Sequence, residues 1–213
     1  MKRAFDLTAA SFGLLLLSPL LLLLALTVWA ASGLPILFRH QRVGRRGQGF
    51  QLLKFRTMTV APEAEQGSFE AGRPQRVTSI GRWLRRSKAD ELPQLWNVLR
   101  GDMSLVGPRP EVRHWVQVYP ERWARVLSVR PGITDPASIV FRNEEEILAA
   151  SADPEATYHD VILPQKLALY EDYVRHRSFW GDLVIICRTI AVVVWGEAQS
   201  AKGKAQRARS NTK

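Results

Sequence analysis

Polar and apolar positions divide the chain into an apolar N-terminus, a mixed body and a basic tail. Residues 7 to 38 contain no charged side chain. One straight helix over that stretch would extend roughly 48 Å, at about 1.5 Å per residue. A hydrocarbon core is only about 30 Å thick. Pro19 removes a backbone donor and crowds the preceding turn, and Ser18 can bond back to the helix backbone and support a bend. Lys2 and Arg3 precede the run, and Arg39, Arg42, Arg45 and Arg46 follow it, so the excess of cations draws both ends to the cytoplasmic side. A helix broken at Ser18-Pro19 that enters and leaves by one face satisfies both flanks. A single span of the bilayer is the competing topology. Val28-Trp29-Ala30 imitates a leader cleavage site, but the run is too long for a leader core and cations follow it directly.

The body begins with a basic, glycine-interrupted stretch over residues 39 to 60 that turns apolar in a way suited to a strand or helix start. Residues 61 to 76, rich in Pro, Glu, Gly and Gln, read as a mobile loop. In the block from Gly81 to Glu111, Arg82, Arg85, Arg86 and Lys88 precede the adjacent carboxylates Asp90 and Glu91. Leu92, Leu95, Trp96 and Leu99 then fall on one face of a helix. Gly107-Pro108-Arg109-Pro110 closes the block, with two prolines restricting the backbone around one arginine. Ser87-x-x-Asp90 matches a loose capping box, in which case both carboxylates only decorate a helix N-terminus. The same terminus also suits phosphate. Carboxylates for a nucleophile or Mg²⁺, beside guanidinium groups for phosphate oxygens, suggest phosphoryl chemistry.

Beyond this block, Trp115, Val118, Trp123, Val126 and Leu127 follow a mixed helical pattern read as core or membrane-surface face. Arg130-Pro131-Gly132 marks a turn. Glu144 to Glu146 read as a solvated helix start. Residues 161 to 177 form a further helix. Residues 179 to 195, mostly apolar but holding Asp182 and Arg188, suit an interfacial or packed helix better than a bilayer span.

Composition narrows the partners. At 213 residues, the chain holds one compact domain plus a membrane element. The net charge of +10 points to anionic partners such as lipid headgroups, nucleotides or nucleic acid. The tail over residues 196 to 213 carries five cations and one acid and reads as disordered. The single cysteine, Cys187, excludes an intramolecular disulfide and is expected to pack inertly in an apolar run. The histidines show no metal-ligand spacing, and no nucleic-acid motif occurs.

The segment DELPQLWNVLRGDMSLVGPRP resembles the signature of the bacterial sugar transferases, the monotopic phosphoglycosyl transferases. The resemblance extends to Ser18-Pro19 in the apolar N-terminus, Lys54-Phe55-Arg56-Thr57-Met58, Arg130-Pro131-Gly132-Ile133-Thr134 and Ser178-Phe179-Trp180. It implies an α-dominated fold with few short strands (α+β). A re-entrant membrane helix would occupy residues 1–38, a cytoplasmic catalytic domain with amphipathic interfacial helices residues 39–195, and the basic tail residues 196–213.

The implied activity is transfer of a sugar 1-phosphate from a nucleotide diphosphate sugar, a UDP-sugar by expectation, to polyprenyl phosphate. The expected place is the cytoplasmic face of the bacterial inner membrane, among its lipids, with a homodimer allowed. Asp90 is then the nucleophile, and Glu91 assists with Mg²⁺ or the acceptor proton, both carboxylates being metal candidates. Lys54, Arg85, Arg109, Arg130 and Arg142 are the implied phosphate ligands. Where many members have glycine, tryptophan and glutamine, this chain reads Thr134-Asp135-Pro136-Ala137-Ser138, and Tyr170 occupies an acidic family position. Two other classes compete: a noncatalytic membrane scaffold of glycan assembly, and a membrane-tethered nucleic-acid-binding protein.

Overall fold

The computed structural model describes residues 1–59 and 76–193. The expected mobile loop, apart from Arg76, and the expected basic tail lie outside the described residues, as do Val194 and Trp195. The fold is helix-dominated with few short strands.

Its first element, α1 (Lys2–Ser32), runs as one helix through Pro19 and ends at Gly33, whose φ of 69° is positive. It is long and apolar enough to cross a membrane by length and composition. Ser18 donates to the Leu15 carbonyl at 2.8 Å, the backward bond expected of a helical serine beside a proline. Both halves of α1 touch the body. Ala10 joins a core with Phe50, Leu52, Val98 and Met103, whereas Leu24 and Val28 join Phe55 and Leu84. Between these contacts, Leu15, Leu16, Leu20, Leu22 and Leu23 are exposed.

A two-stranded antiparallel hairpin follows, β1 (Leu37–Val43) and β2 (Gly49–Phe55), joined through a short turn at Arg45–Gly47. Along β2, Phe50 and Leu52 are buried while Gly49 and Gln51 are exposed. The strand period of two places Lys54 on the same side as Phe50 and Leu52. α2 (Ser79–Arg86) is capped by the Thr78 side chain, which accepts from the Gly81 amide. A tight 3-10 turn, Ala89–Glu91, then leads to α3 (Gln94–Arg100).

Of the apolar stripe expected over Leu92 to Leu99, Leu92, Leu95 and Leu99 pack against the core and only Trp96 does not. Gln94, Asn97 and Val98 are the buried residues of α3, and Trp96 is exposed. Asn97 is drawn inward because its amide completes the ladder of β2. It accepts from the Leu53 amide at 3.0 Å and donates to the Gln51 carbonyl at 2.8 Å. A buried amide is tolerated when its hydrogen bonds are made.

The remaining elements are β3 (Ser104–Val106), α4 (Arg113–Val118), α5 (Pro120–Val126), β4 (Gly132–Thr134), α6 (Pro136–Val140), α7 (Glu144–Ala149), α8 (Pro154–Thr157) and α9 (Leu163–His176). A helix over residues 179–193, α10, closes the described chain. Trp115 and Trp123 are buried with Leu148, Ile162, Leu167 and Tyr170, as core aromatics. Cys187 departs from expectation: it is exposed on α10 rather than packed.

β3 and β4 pair in parallel, and around them the Gly107 and Gly132 backbones interlock. The Gly107 amide donates to the Thr134 carbonyl at 3.1 Å, and the Gly132 amide to the Pro108 carbonyl at 3.0 Å. A Cβ on Gly132 would stand 2.1 Å from the Gly107 nitrogen, so any side chain there forces the two segments apart. Gly132→Ala is therefore expected to destabilise by about 3 kcal/mol, read as a lowered unfolding midpoint of the membrane-reconstituted protein.

Candidate active site

Three structural constraints bring the candidate site together. The first is the Ala89–Glu91 turn, entered through Lys88, whose φ of 58° lies in the left-handed region. That conformation is costly for a non-glycine residue; here it reverses the chain after α2. Ser87 is not an N-cap, as the capping-box reading would require. It ends α2, and its hydroxyl donates back to the Trp83 and Leu84 carbonyls at 3.0 and 3.2 Å. The carboxylates thus sit in a buried turn between two helices, with Asp90 and Glu91 only 6% and 8% exposed.

The second constraint fixes Arg109. Its segment is held on one side by the interlocked glycines and on the other by Glu111, which pairs with the Val43 backbone. The Glu111 carboxylate accepts from Arg42 at 2.7 Å, from the Val112 amide at 2.8 Å, and from the Tyr158 hydroxyl. Both prolines flanking Arg109 are buried. The third constraint is β2, whose inward face delivers Lys54.

These three elements converge on Glu91. Lys54 Nζ lies 2.9 Å from Glu91 Oε1. Arg109 donates from one nitrogen to the same oxygen and from Nη1 to Glu91 Oε2 at 3.3 Å. Bidentate, charge-assisted contacts of this kind are both strong and orienting. Burial alone would raise the Glu91 pKa, but Arg109 and then Lys54 outweigh it and hold the carboxyl well below its ordinary range. Burial lowers the Lys54 pKa, with Glu91 opposing.

Asp90 differs from its neighbour. Its Oδ1 is buried and has no hydrogen-bond partner among the described residues. Burial raises its pKa, with Lys54 opposing and the Glu91 charge adding to the rise. A desolvated carboxylate oxygen with no donor is a more reactive group than one held in an ion pair. Adjacent carboxylates thus occupy opposite environments. One is locked by two cations, and the other is left with an uncommitted oxygen.

Arg85 reaches the same region from the last turn of α2. Its Nε donates to Thr57 Oγ1 at 2.9 Å, Nη1 donates to Glu145 at 3.2 Å, and its charge acts on Asp90. Gly81 permits this approach: a Cβ there would stand 2.0 Å from the Thr57 carbonyl oxygen. Arg56 is buried at the end of β2.

Two of the expected phosphate ligands stand apart. Arg130 donates to the Gly101 carbonyl at 2.8 Å and lines a different cavity. Arg142 is exposed in the turn between α6 and α7 and forms no ion pair among the described residues.

The region also holds residues that sequence reasoning passed over. Asp135 is fully buried and caps α6, with its carboxylate accepting from the Ser138 amide at 2.9 Å and from the Ser138 hydroxyl. Burial raises its pKa despite those bonds, while Arg109 and Lys166 pull the other way. The Asp-Pro-x-Ser order was an available cap signal. His40 lies beside Arg42, and burial, then the Arg42 charge, push its pKa down to about 4, so it is neutral at neutral pH. Lys166 pairs with Glu144 at 2.8 Å, so that glutamate is not simply solvated.

The electrostatics carry a consequence for pH. A nucleophilic Asp90 must be ionised, so activity should fall as pH drops through its raised pKa. In Lys54→Met the loss of a stabilising cation raises that pKa further, moving the acidic limb of the profile to higher pH. The pH dependence of kcat/KM for the two proteins checks the direction.

A buried carboxylate pair with one uncommitted oxygen lies beside a lysine and arginines and close to a long apolar helix, a set of groups suited to phosphoryl chemistry. The chain belongs to the bacterial sugar transferase family, whose profile matches residues 1–196. It is 37% identical over 207 residues to the exopolysaccharide production protein ExoY of Rhizobium meliloti, covering 90% of this chain and 84% of that protein. It is 39% identical over 193 residues to a UDP-glucose:undecaprenyl-phosphate glucose-1-phosphate transferase of Caulobacter vibrioides, covering 89% of this chain and 68% of that one. A sugar transferase of Bacillus subtilis, EpsL, is 39% identical over 92% of this chain and 89% of its own length. The protein is thus an enzyme of the phosphoglycosyl transferase class.

Proposed function

We propose that the protein transfers a sugar 1-phosphate from a UDP-sugar to polyprenyl phosphate at the cytoplasmic face of the bacterial inner membrane, releasing UMP. The observation that carries this reading is the contrast between the uncommitted Asp90 Oδ1 and the cation-locked Glu91. Asp90 attacks the sugar-bearing phosphorus, and the bond from that phosphorus to the bridging oxygen breaks, so that UMP leaves. An oxygen of polyprenyl phosphate then attacks the same phosphorus, the bond to Asp90 breaks, and the product is a polyprenyl diphosphate sugar. Two displacements through a covalent aspartyl intermediate suit a carboxylate nucleophile.

Lys54, Arg85 and Arg109 are assigned to offset charge developing on the phosphoryl oxygens. Glu91 orients Lys54 and Arg109 toward that task. Of the two expected Mg²⁺ ligands, Asp90 has an uncommitted oxygen that would hold the ion, whereas Glu91 is engaged by Lys54 and Arg109 and would serve as a ligand only by sharing its oxygens with them. When bound, Mg²⁺ supplies neutralisation of phosphate charge.

We assign α1 a re-entrant path bent at Ser18-Pro19. Contact of both its halves with the body, with exposed leucines between them, supports that path. It keeps Asp90 near the interface, where a soluble donor and a lipid phosphate both arrive.

The test is nucleotide release from a panel of UDP-sugars by the membrane-reconstituted protein with Mg²⁺ and polyprenyl phosphate. Acceptor-dependent UMP is expected for one donor. Release of UDP would overturn the proposed bond cleavage, and release of neither nucleotide across the panel would favour a scaffold.

A further inference from the structure

A second cationic site lies away from the carboxylate pair. A cavity of about 200 Å³ is lined by Lys2 and Arg3 at the start of α1, Arg45 of the hairpin turn, Arg130 before β4, Arg177 after α9, and one carboxylate, Asp6. Lys54, Arg85, Asp90, Glu91 and Arg109 contribute nothing to its lining.

Three of the arginines in this cavity are fixed in place without being cancelled. Arg3 donates to the Leu99 and Met103 carbonyls, Arg45 to the Ser128 carbonyl, and Arg130 to the Gly101 carbonyl. None of these three arginines, nor Arg177, forms an ion pair among the described residues. Lys2 is matched by Asp182. Asp6 is occupied by the Ser104 hydroxyl at 2.9 Å and the Leu105 amide at 3.2 Å. Guanidinium groups anchored on neutral carbonyls keep their full charge and surplus N–H donors, an arrangement that suits phosphate oxygens.

Depth supplies the second line of support. Lys2 and Arg3 open the same helix whose apolar residues are exposed from Phe12 onward. Cations at the end of a membrane helix lie at headgroup level. Phe5 meets Phe179 edge to face, and the adjoining Trp180 is 75% exposed, as expected for aromatics at that boundary. The volume is below that of a pocket for a drug-sized ligand, so it suits a phosphate-bearing headgroup whose chains remain outside.

We infer that this cavity binds a phosphate group, and that the phosphate belongs to an anionic phospholipid headgroup. Its role is separate from the phosphates handled at Asp90, so it stands or falls apart from sugar transfer.

Full-length protein in neutral detergent is titrated by calorimetry with dioctanoyl phosphatidylglycerol and, separately, with inorganic phosphate. One saturable lipid site is expected. R45Q/R177Q, which changes two exposed side chains, should weaken it about tenfold or more, since each cation near a membrane surface contributes appreciably. R45K/R177K should recover most of the affinity. Circular dichroism confirms that each variant is folded, and R130Q serves as an independent second probe. Inorganic phosphate binding as tightly as the lipid, with the same sensitivity to R45Q/R177Q, would keep the oxyanion site and overturn the lipid assignment. Lipid binding unchanged in both R45Q/R177Q and R130Q would overturn the site itself.

Discussion

Asp90→Asn should abolish acceptor-dependent UMP release, by about 10⁴-fold or more, as loss of a catalytic nucleophile does elsewhere. The substitution is nearly isosteric and removes a buried charge whose Oδ1 has no partner, so the folded state should survive it or gain slightly. An enzyme that is folded, binds the donor and is inactive is therefore the expected result. The measurement has two parts. Steady-state UMP release is compared with wild type, and intact-protein mass spectrometry looks for a phospho-sugar adduct when the donor is supplied without acceptor. Wild type should accumulate the adduct and the variant should not. Asp90→Asn retaining wild-type turnover would remove Asp90 from the mechanism and leave Glu91 to be tested as the attacking group.

Arg109→Met carries the second largest effect, and it should act on stability and rate together. Glu91 is 8% exposed, and the guanidinium of Arg109 contacts both of its oxygens. Removing that partner leaves a buried carboxylate with Lys54 alone, at a cost of about 3 kcal/mol by comparison with other broken buried pairs. The rate should fall about 10²- to 10³-fold, as when a preorganised donor to a transition-state oxygen is lost. Arg109→Lys separates the two effects. It restores the charge, and with it most of the stability, but not the planar two-pronged contact, so the rate should stay depressed. Thermal unfolding of the reconstituted proteins and their UMP release check each half. A variant stable as wild type but slow would mean that Arg109 serves the substrate and not Glu91.

Much of the candidate site was legible in the chain because its ingredients are local. Asp90 and Glu91 are adjacent and the two prolines flank Arg109, whereas Lys54 was marked only by the family resemblance and its inward place on β2 came from the structure. Adjacency of that kind depends on covalent neighbours, which sequence displays directly. The polar part of the buried face of α3 was less legible. A polar residue, Asn97, is buried because it completes a distant strand's hydrogen bonds, and no local pattern announces that. The exposure of Cys187 was not legible for a related reason: an apolar run says that a segment avoids water, not which side faces the protein.

By itself the sequence determined the apolar N-terminal helix and singled out the adjacent carboxylates and the proline-flanked arginine as candidates, and the family resemblance added the helix-dominated body and Lys54. Hydropathy, charge and proline act through the chain's own neighbours. Only the tertiary structure decided how those groups divide the work. Glu91 is paired and Asp90 is left with an open oxygen because β2 and the Arg109 segment, 37 and 18 residues away in the chain, converge on one side of a two-residue carboxylate pair. Arg130 faces another cavity because the interlocked glycines allow β3 and β4 to pass within backbone contact. Charge state and reactivity are set by burial and by distances of a few ångströms, and those are properties of packing between remote segments.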